Sequence, residues 1–210
     1  MHGVLSDIQI EELCTPTHGL PMLEPFSGEQ IREIEDPRDP AIWRELIKAI
    51  SFGVGSYGYD LRLSPKSFRV FHNAFGRVLV DPKNFDERLL IETPPTIDDT
   101  GTWFVIPGNS YALAETVEYV RMPRDLTAVS VGKSTYARCG IITNVTPFEA
   151  GWDGVVTLEL ANACPAPVKV YANEGICQTV FFRGAIWPRV SYADRAGKYQ
   201  SQTGLTLARV

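Results

Sequence analysis

No apolar run in this chain approaches the length needed to cross a bilayer. The opening residues, MHGVLSDIQIEELC, lack the basic-then-apolar pattern of a secretory leader. There are four cysteines, Cys14, Cys139, Cys164 and Cys177, widely spread and without a C-x-x-C pair, so a disulfide framework is not expected. Positive charge is in deficit: the formal net charge is -5, which argues against a dedicated nucleic-acid binder with a basic face. A few well-placed cations still suffice for one anionic small ligand. Repeats and low-complexity tracts are also absent. With 44% hydrophobic and 21% charged residues, the 210-residue chain is expected to be a globular protein of the cytoplasm with reduced thiols.

The N-terminal quarter reads as mostly helical. Ser27 with Gln30 fits a capping box ahead of a short helix, and Asp39-Pro40 fits a cap and first-turn pair. AIWRELIKAI then places Ile42, Leu46 and Ile50 on one helical face. From Tyr57 the period changes to short β-rich runs: YDLRLS, SFRVF, RVLVD, TWFVIP, YALAETVEYV, TAVSV, IITNVT, VVTLEL, VKVYA and CQTVFF. Turn chemistries such as PGN, MPRD, GWDG and NEG separate them, which predicts a mainly β barrel, jelly roll or sandwich. The division expected is a helical segment over 1–55, a β-barrel over 56–190 and a polar tail over 191–210 that frays or orders on a ligand or neighbour.

Three motifs look familiar and fail on context. Gly53-Val54-Gly55-Ser56-Tyr57-Gly58 matches G-x-G-x-x-G, but a helix is expected before it and a strand after it, the reverse of a dinucleotide fold. No organic cofactor is expected. Gly132-Lys133-Ser134 resembles the end of a P-loop, yet Thr127 stands where a Walker motif requires glycine. The zinc deaminase signature needs H-x-E and P-C-x-x-C. His2, His18 and His72 lack the following Glu, and Cys164-Pro165 leads nowhere, so no zinc is expected.

Three features carry chemistry. In Gly132-Lys133-Ser134-Thr135-Tyr136-Ala137-Arg138, a helix starting at Lys133 puts Ser134 and Arg138 on one face, where hydroxyl and guanidinium suit phosphate or polar substrate atoms. The competing reading is a solvated helix end. In Val155-Val156-Thr157-Leu158-Glu159-Leu160, strand alternation sets Val156, Leu158 and Leu160 on one face and Val155, Thr157 and Glu159 on the other. A carboxylate held in apolar surroundings acquires a raised pKa and can move protons, whereas a solvent-facing Glu is the commoner case. The tail supplies Tyr192, Lys198 and Gln202, which could close over a nucleotide.

Together these residues resemble the dCTP deaminases, relatives of the trimeric dUTPases. The resemblance lies in SYGYDLRL, then the run from GKSTYARCG through VVTLEL to CQTVFF, then YADRAGKYQSQTG, in the family's order. It implies a distorted β-barrel or jelly roll of the dUTPase-like type, a homotrimer with sites between subunits, and a tail that folds over dCTP. Residue by residue, it implies that Glu159 is the catalytic glutamate, with Ser134 and Arg138 beside the reacting base and its water. Lys133 and Thr135 fall at phosphate-contacting positions within the binding run that includes Tyr136 and Ala137. Thr157 and Leu158 fall at base-contacting positions, Gln178 at a substrate-contacting one, and Tyr192, Lys198 and Gln202 in the closing tail. Mg²⁺ is expected through the substrate triphosphate. The loop Pro147–Trp152 is shorter than the family's usual Asp-Pro-Gly loop, which leaves the deoxyribose contacts to Glu149. The loop IETPPTIDDTG also departs from the usual length.

The activity implied is metal-free hydrolysis of dCTP to dUTP and ammonia in pyrimidine deoxynucleotide synthesis, with no nucleic-acid or membrane partner. The rivals are a dUTPase, a bifunctional enzyme releasing dUMP and diphosphate through Glu149 or Asp153, and a non-catalytic nucleotide sensor.

Overall fold

The computed structural model describes residues 3–38, 45–72 and 79–210. The chain runs from β1 (Gly3–Val4) through helix α1 (Asp7–Cys14) to β2 (Leu23–Glu24), β3 (Ile31–Glu35) and β4 (Leu46–Gly55). Next come β5 (Gly58–Phe71), β6 (Leu90–Glu92), β7 (Thr96–Asp98), β8 (Gly101–Ile106) and β9 (Ser110–Arg121). β10 (Leu126–Gly132) leads into the one-turn helix α2 (Ser134–Ala137), then β11 (Ile141–Asn144), β12 (Asp153–Asn162), β13 (Val168–Tyr171) and β14 (Gly175–Arg183).

The mainly β expectation holds, but the helical N-terminal quarter does not. Its described helix is α1, whose entry is fixed by Gln9 Oε1 accepting the Ser6 N–H at 3.1 Å, with Ile10 and Cys14 buried one turn apart. Ser27 and Gln30 cap nothing; Gln30 precedes strand β3. The segment expected as a helix over 41–50 is strand from Leu46 onward, antiparallel to β3 with Ile34 opposite Ile47. Asp39-Pro40 and Ile42 lie outside the described residues. The glycine run 53–58 is the turn of the β4–β5 hairpin, with Gly55 opposite Gly58. A strand, not a helix, precedes it. Gly53 has φ +100° and passes so close to the Glu29 carbonyl that a Cβ would lie 2.1 Å from it.

The main sheet has the order β1-β14-β5-β9-β12-β11, with β10 added beside β14. β5 serves both halves of this curled sheet. Tyr59 to Arg62 ladder with β14, whereas Leu63 to Val70 ladder with β9 across an irregularity between Leu63 and Phe68. Pro65 sits in that break, where a missing N–H costs no ladder bond, and such a break bends the strand. The second sheet, β13-β8-β7, closes over the first. Phe68 stacks on Phe104 at 4.4 Å across the gap, within a core that includes Leu61, Leu158, Leu160 and Phe181. Among the described residues, no helix is long and apolar enough to cross a membrane.

Candidate active site

The strand containing Glu159 alternates as its sequence predicts. Val156, Leu158 and Leu160 enter the core, and Val155, Thr157 and Glu159 take the other, half-buried face. Antiparallel registry then decides what Glu159 meets. Asn144 of β11 lies opposite on one side and Leu113 of β9 on the other. Asn144 Nδ2 donates to Glu159 Oε2 at 3.1 Å. Burial raises the Glu159 pKa, and the Asn144 hydrogen bond partly offsets the rise by favouring the anion. Tyr111, two residues along β9 from Leu113, shares this face. Its phenol is pushed up to about 12, first by burial and then by the charge of Glu159. A half-buried acid with a raised pKa, beside an amide and a phenol, is equipped to accept and return a proton.

The tail docks along the same strand. β11 covers β12 only from Glu159 onward, which leaves the ladder of residues 153–157 open on that side. The tail fills it. Ser201 N–H donates to Asp153 O at 2.8 Å, Gln202 O accepts the Val155 N–H at 2.8 Å, and Thr206 N–H reaches Thr157 Oγ1 at 3.2 Å. Leu205 N–H donates at 2.6 Å to Oε2 of Glu115, the residue of β9 paired with Thr157. Tyr119, Gln200 and Ser201 all donate to the Asp153 carboxylate, and Trp152 Nε1 holds the Tyr199 carbonyl at 2.8 Å. Of the tail residues singled out above, Gln202 is buried and spends its amide on Val155 O at 3.2 Å. Tyr192 accepts the Tyr199 N–H. Lys198 alone of the three is exposed, its ammonium 5.2 Å from the centre of the Tyr199 ring.

The Gly132–Arg138 run is a strand end followed by one helical turn, as its spacing predicts. Ser134, Thr135, Ala137 and Arg138 are exposed. Arg138 folds back so that one guanidinium nitrogen donates to the Ser134 carbonyl at 3.0 Å. Tyr136 turns inward, 3% exposed, and its hydroxyl accepts the Tyr171 N–H at 2.8 Å. Lys133 is also buried, with Nζ donating to Asp60 Oδ2 at 2.6 Å. Leu158 points into the core, which leaves only its main chain for a ligand. Within the described residues of one chain, no hydrogen bond or ion pair joins Ser134 or Arg138 to Glu159. Gln178, exposed on β14, is separated from β12 by β5 and β9, roughly 14 Å of sheet at about 4.8 Å per strand.

Asn144, Tyr111 and Glu115 were not singled out from sequence. Neither was Glu174, at the end of the β13–β14 connection. Glu174 is 2% exposed; Oε2 accepts the Ile50 N–H at 2.6 Å, and Oε1 has no partner among the described residues. It faces a cleft of about 420 Å³ that Lys48, Asp99, Thr100 and Tyr171 also line. Among the described residues, no group of three or more His, Cys, Asp or Glu side chains is arranged to hold a metal ion.

The site is thus a curled antiparallel sheet with a half-buried glutamate on one face and a C-terminal strap laid beside that glutamate's strand. Sequence comparison supplies the family. Residues 11–184 match the dCTP deaminase-like family, and the chain belongs to it. It is 49% identical over 189 residues to the dCTP deaminase of Acidobacterium capsulatum, covering 90% of this chain and 91% of that one. Against the dCTP deaminase of Gemmatimonas aurantiaca the identity is 48% over 208 residues, 99% and 100% of the two chains. The crystal structure of 2'-deoxycytidine 5'-triphosphate deaminase from Agrobacterium tumefaciens superposes with a TM-score of 0.55 at 20% identity. That likeness, one of fold, covers 87% of this chain, which spans about half (49%) of the solved chain.

Proposed function

We propose that the protein hydrolyses the exocyclic amino group of dCTP, giving dUTP and ammonia, with Glu159 as the proton carrier. The observation that carries this reading is the setting of Glu159: half buried, raised in pKa, hydrogen-bonded by Asn144, and flanked by the docked tail. In the reaction, water attacks cytosine C4 while Glu159 accepts a water proton and delivers it to the ring nitrogen N3, leaving a tetrahedral C4 that carries a hydroxyl and the amino group. Glu159 then takes the hydroxyl proton and passes it to the amino group, the C4–N bond breaks to release ammonia as the C4 carbonyl forms, and the carboxylate returns to its starting state. Ser134 and Arg138 would orient the water and the base, a contribution of position and charge. Thr157 and the main chain of Leu158 would read the base, while Thr135, Lys198 and the tail hold the phosphates. Hydroxyls and cations suit phosphate oxygens, so Mg²⁺ would arrive as part of the triphosphate substrate, held by phosphates and water.

Ser134 and Arg138 make no hydrogen bond or ion pair with Glu159 of their own chain, and the reading includes a homotrimer in which neighbouring subunits complete each site. Val129, Val131, Ile142 and Phe182 are large exposed apolar side chains on β10, β11 and β14, and they offer surface for such contacts. All four cysteines are free, in keeping with a reducing compartment such as the cytoplasm.

The acids that could activate water at the α-phosphate are committed elsewhere. Glu149 pairs with Arg195, and Asp153 binds the tail. No observation therefore favours release of dUMP and diphosphate. The test is incubation with dCTP, dUTP and CTP in the presence of Mg²⁺, with products resolved by chromatography. Wild type is expected to give dUTP and ammonia from dCTP, and Glu159→Gln to bind dCTP without turnover. Deamination by Glu159→Gln at near wild-type rate would refute the assignment.

A further inference from the structure

Glu115 stands in the middle of β9 and is 6% exposed, a costly place for a carboxylate. It fits there because two ladders break around it. The β9–β12 ladder slips between Val155 and Thr157, and the β5–β9 ladder lapses between Leu63 and Phe68. From the second break, Ser64 Oγ donates to Glu115 Oε1 at 3.3 Å. The other oxygen, Oε2, takes the Leu205 N–H of the strap at 2.6 Å. A Cβ on Gly204 would lie 3.2 Å from that same oxygen, so the main chain of the strap passes hard against the carboxylate. One residue further on, Thr206 N–H donates at 3.2 Å to Oγ1 of Thr157, the β12 partner of Glu115. Paired residues share a face of the sheet, so Glu115 and Thr157 lie on the face that carries Glu159. Glu159 pairs with Leu113, which makes it the diagonal neighbour of Glu115 at about 7 to 8 Å.

We propose that Glu115 is the latch of the C-terminal strap: its carboxylate fixes residues 204–206 over Thr157 and so closes the face of Glu159 over bound dCTP. The inference rests on the deaminase reading given above. Glu115 is a positioning residue here, because it acts through the strap and not on the base. Seating the strap withdraws the carboxylate from water, and a buried ionised acceptor left without its donor is costly. The short, charge-assisted bond from Leu205 therefore favours the seated state. The Asp153 carboxylate holds the strap earlier, at Gln200 and Ser201. Beyond Gln202, among the described residues, Glu115 and Thr157 are the side chains of the sheet that bond it. A seated strap keeps water from the reacting face, so the latch works on closure after the nucleotide has entered.

Steady-state kinetics with Mg·dCTP and amide hydrogen exchange test the latch together. Glu115→Ala removes the acceptor. Leu205→Pro removes the donor, behind a glycine that tolerates a following proline. Each is expected to lower kcat/KM tenfold or more. The double variant is expected to be no worse than the poorer single one, since both delete the same bond. Glu115→Gln keeps an acceptor without the charge and should lose only about threefold. Being nearly isosteric, it also serves should the alanine variant fold poorly. In exchange followed by mass spectrometry, Glu115→Ala should speed the amides of Leu205 and Thr206 several-fold, while that of Ser201, bonded to the Asp153 carbonyl, stays protected. The latch is overturned if the losses of the two single variants multiply in the double one. It is equally overturned if Glu115→Ala loses activity with exchange at Leu205 and Thr206 unchanged, the mark of a residue that merely supports the sheet, or if it turns over dCTP as wild type does. Wild type that releases no ammonia from dCTP sinks the deaminase reading instead, and the exchange result still decides whether Glu115 holds the strap.

Discussion

Replacing Glu174 by glutamine should change how stability depends on pH, and the size of the change follows from the geometry. The carboxyl is 2% exposed, one oxygen has no partner among the described residues, and burial pushes its pKa up to about 7 from an ordinary 4.5, with the Ile50 N–H pulling the other way. Because the folded state holds this proton more tightly than the unfolded chain does, Glu174 favours folding fully below about pH 4.5. That contribution drains away as pH rises and is gone above about pH 7. A rise from 4.5 to about 7, at about 1.4 kcal/mol per pH unit, corresponds to about 3.5 kcal/mol in full, of which about 3 kcal/mol falls above pH 4.5. The charged and titratable groups facing the carboxyl are Lys48 and Asp99 across the cleft, with Tyr171 beside them and Tyr136 behind. Of these, only Lys48 could offset the burial. Glutamine keeps an acceptor for Ile50 and does not titrate. Urea unfolding of wild type and Glu174→Gln, at fixed protein concentration from pH 4.5 to 8, should show the variant gaining on wild type by about 3 kcal/mol across that range. A difference constant to within about 0.5 kcal/mol, the usual scatter of such comparisons, refutes the reasoning. It would mean that the acid finds a compensating cation, with Lys48 of the same cleft the candidate.

Two further outcomes are expected. Asn144→Leu removes the hydrogen bond that favours ionised Glu159, so the Glu159 pKa should rise and the acid limb of the kcat–pH profile should move to higher pH, with an unmoved limb counting against Glu159 as the base. Asp153→Ala deletes the shared acceptor of Tyr119, Gln200 and Ser201, so the tail should loosen and limited proteolysis should cut sooner after Arg195 or Lys198, as followed by mass spectrometry.

The β architecture was legible wherever alternation was strict. VVTLEL announces β12 and the face of Glu159, and the change of period at Gly132 announces the one-turn helix after β10. The error over 46–50 has a simple origin. Ile42, Leu46 and Ile50 are spaced by four, which is close to one helical turn and equally two strand repeats, so that spacing alone cannot separate the two. The short helix that does exist was missed because Ile10 and Cys14 supply a single buried step within eight residues. At the site, Glu159 could be found from its own strand. Asn144 and Tyr111 could not, because their approach depends on which strands pair and in what register, information that no local spacing carries. Asp60 was visible only as part of SYGYDLRL. Its partnership with Lys133, 73 residues away, belongs to the folded chain.

The strap along β12 has one more consequence. Seated, it bonds the main chain of Asp153 and Val155 along a border that β11 leaves uncovered. Without it, that stretch is a bare sheet border, a template on which an extended segment of another molecule can pair and seed aggregation. A variant trimmed of its last residues is therefore expected to clump more readily for as long as it remains folded.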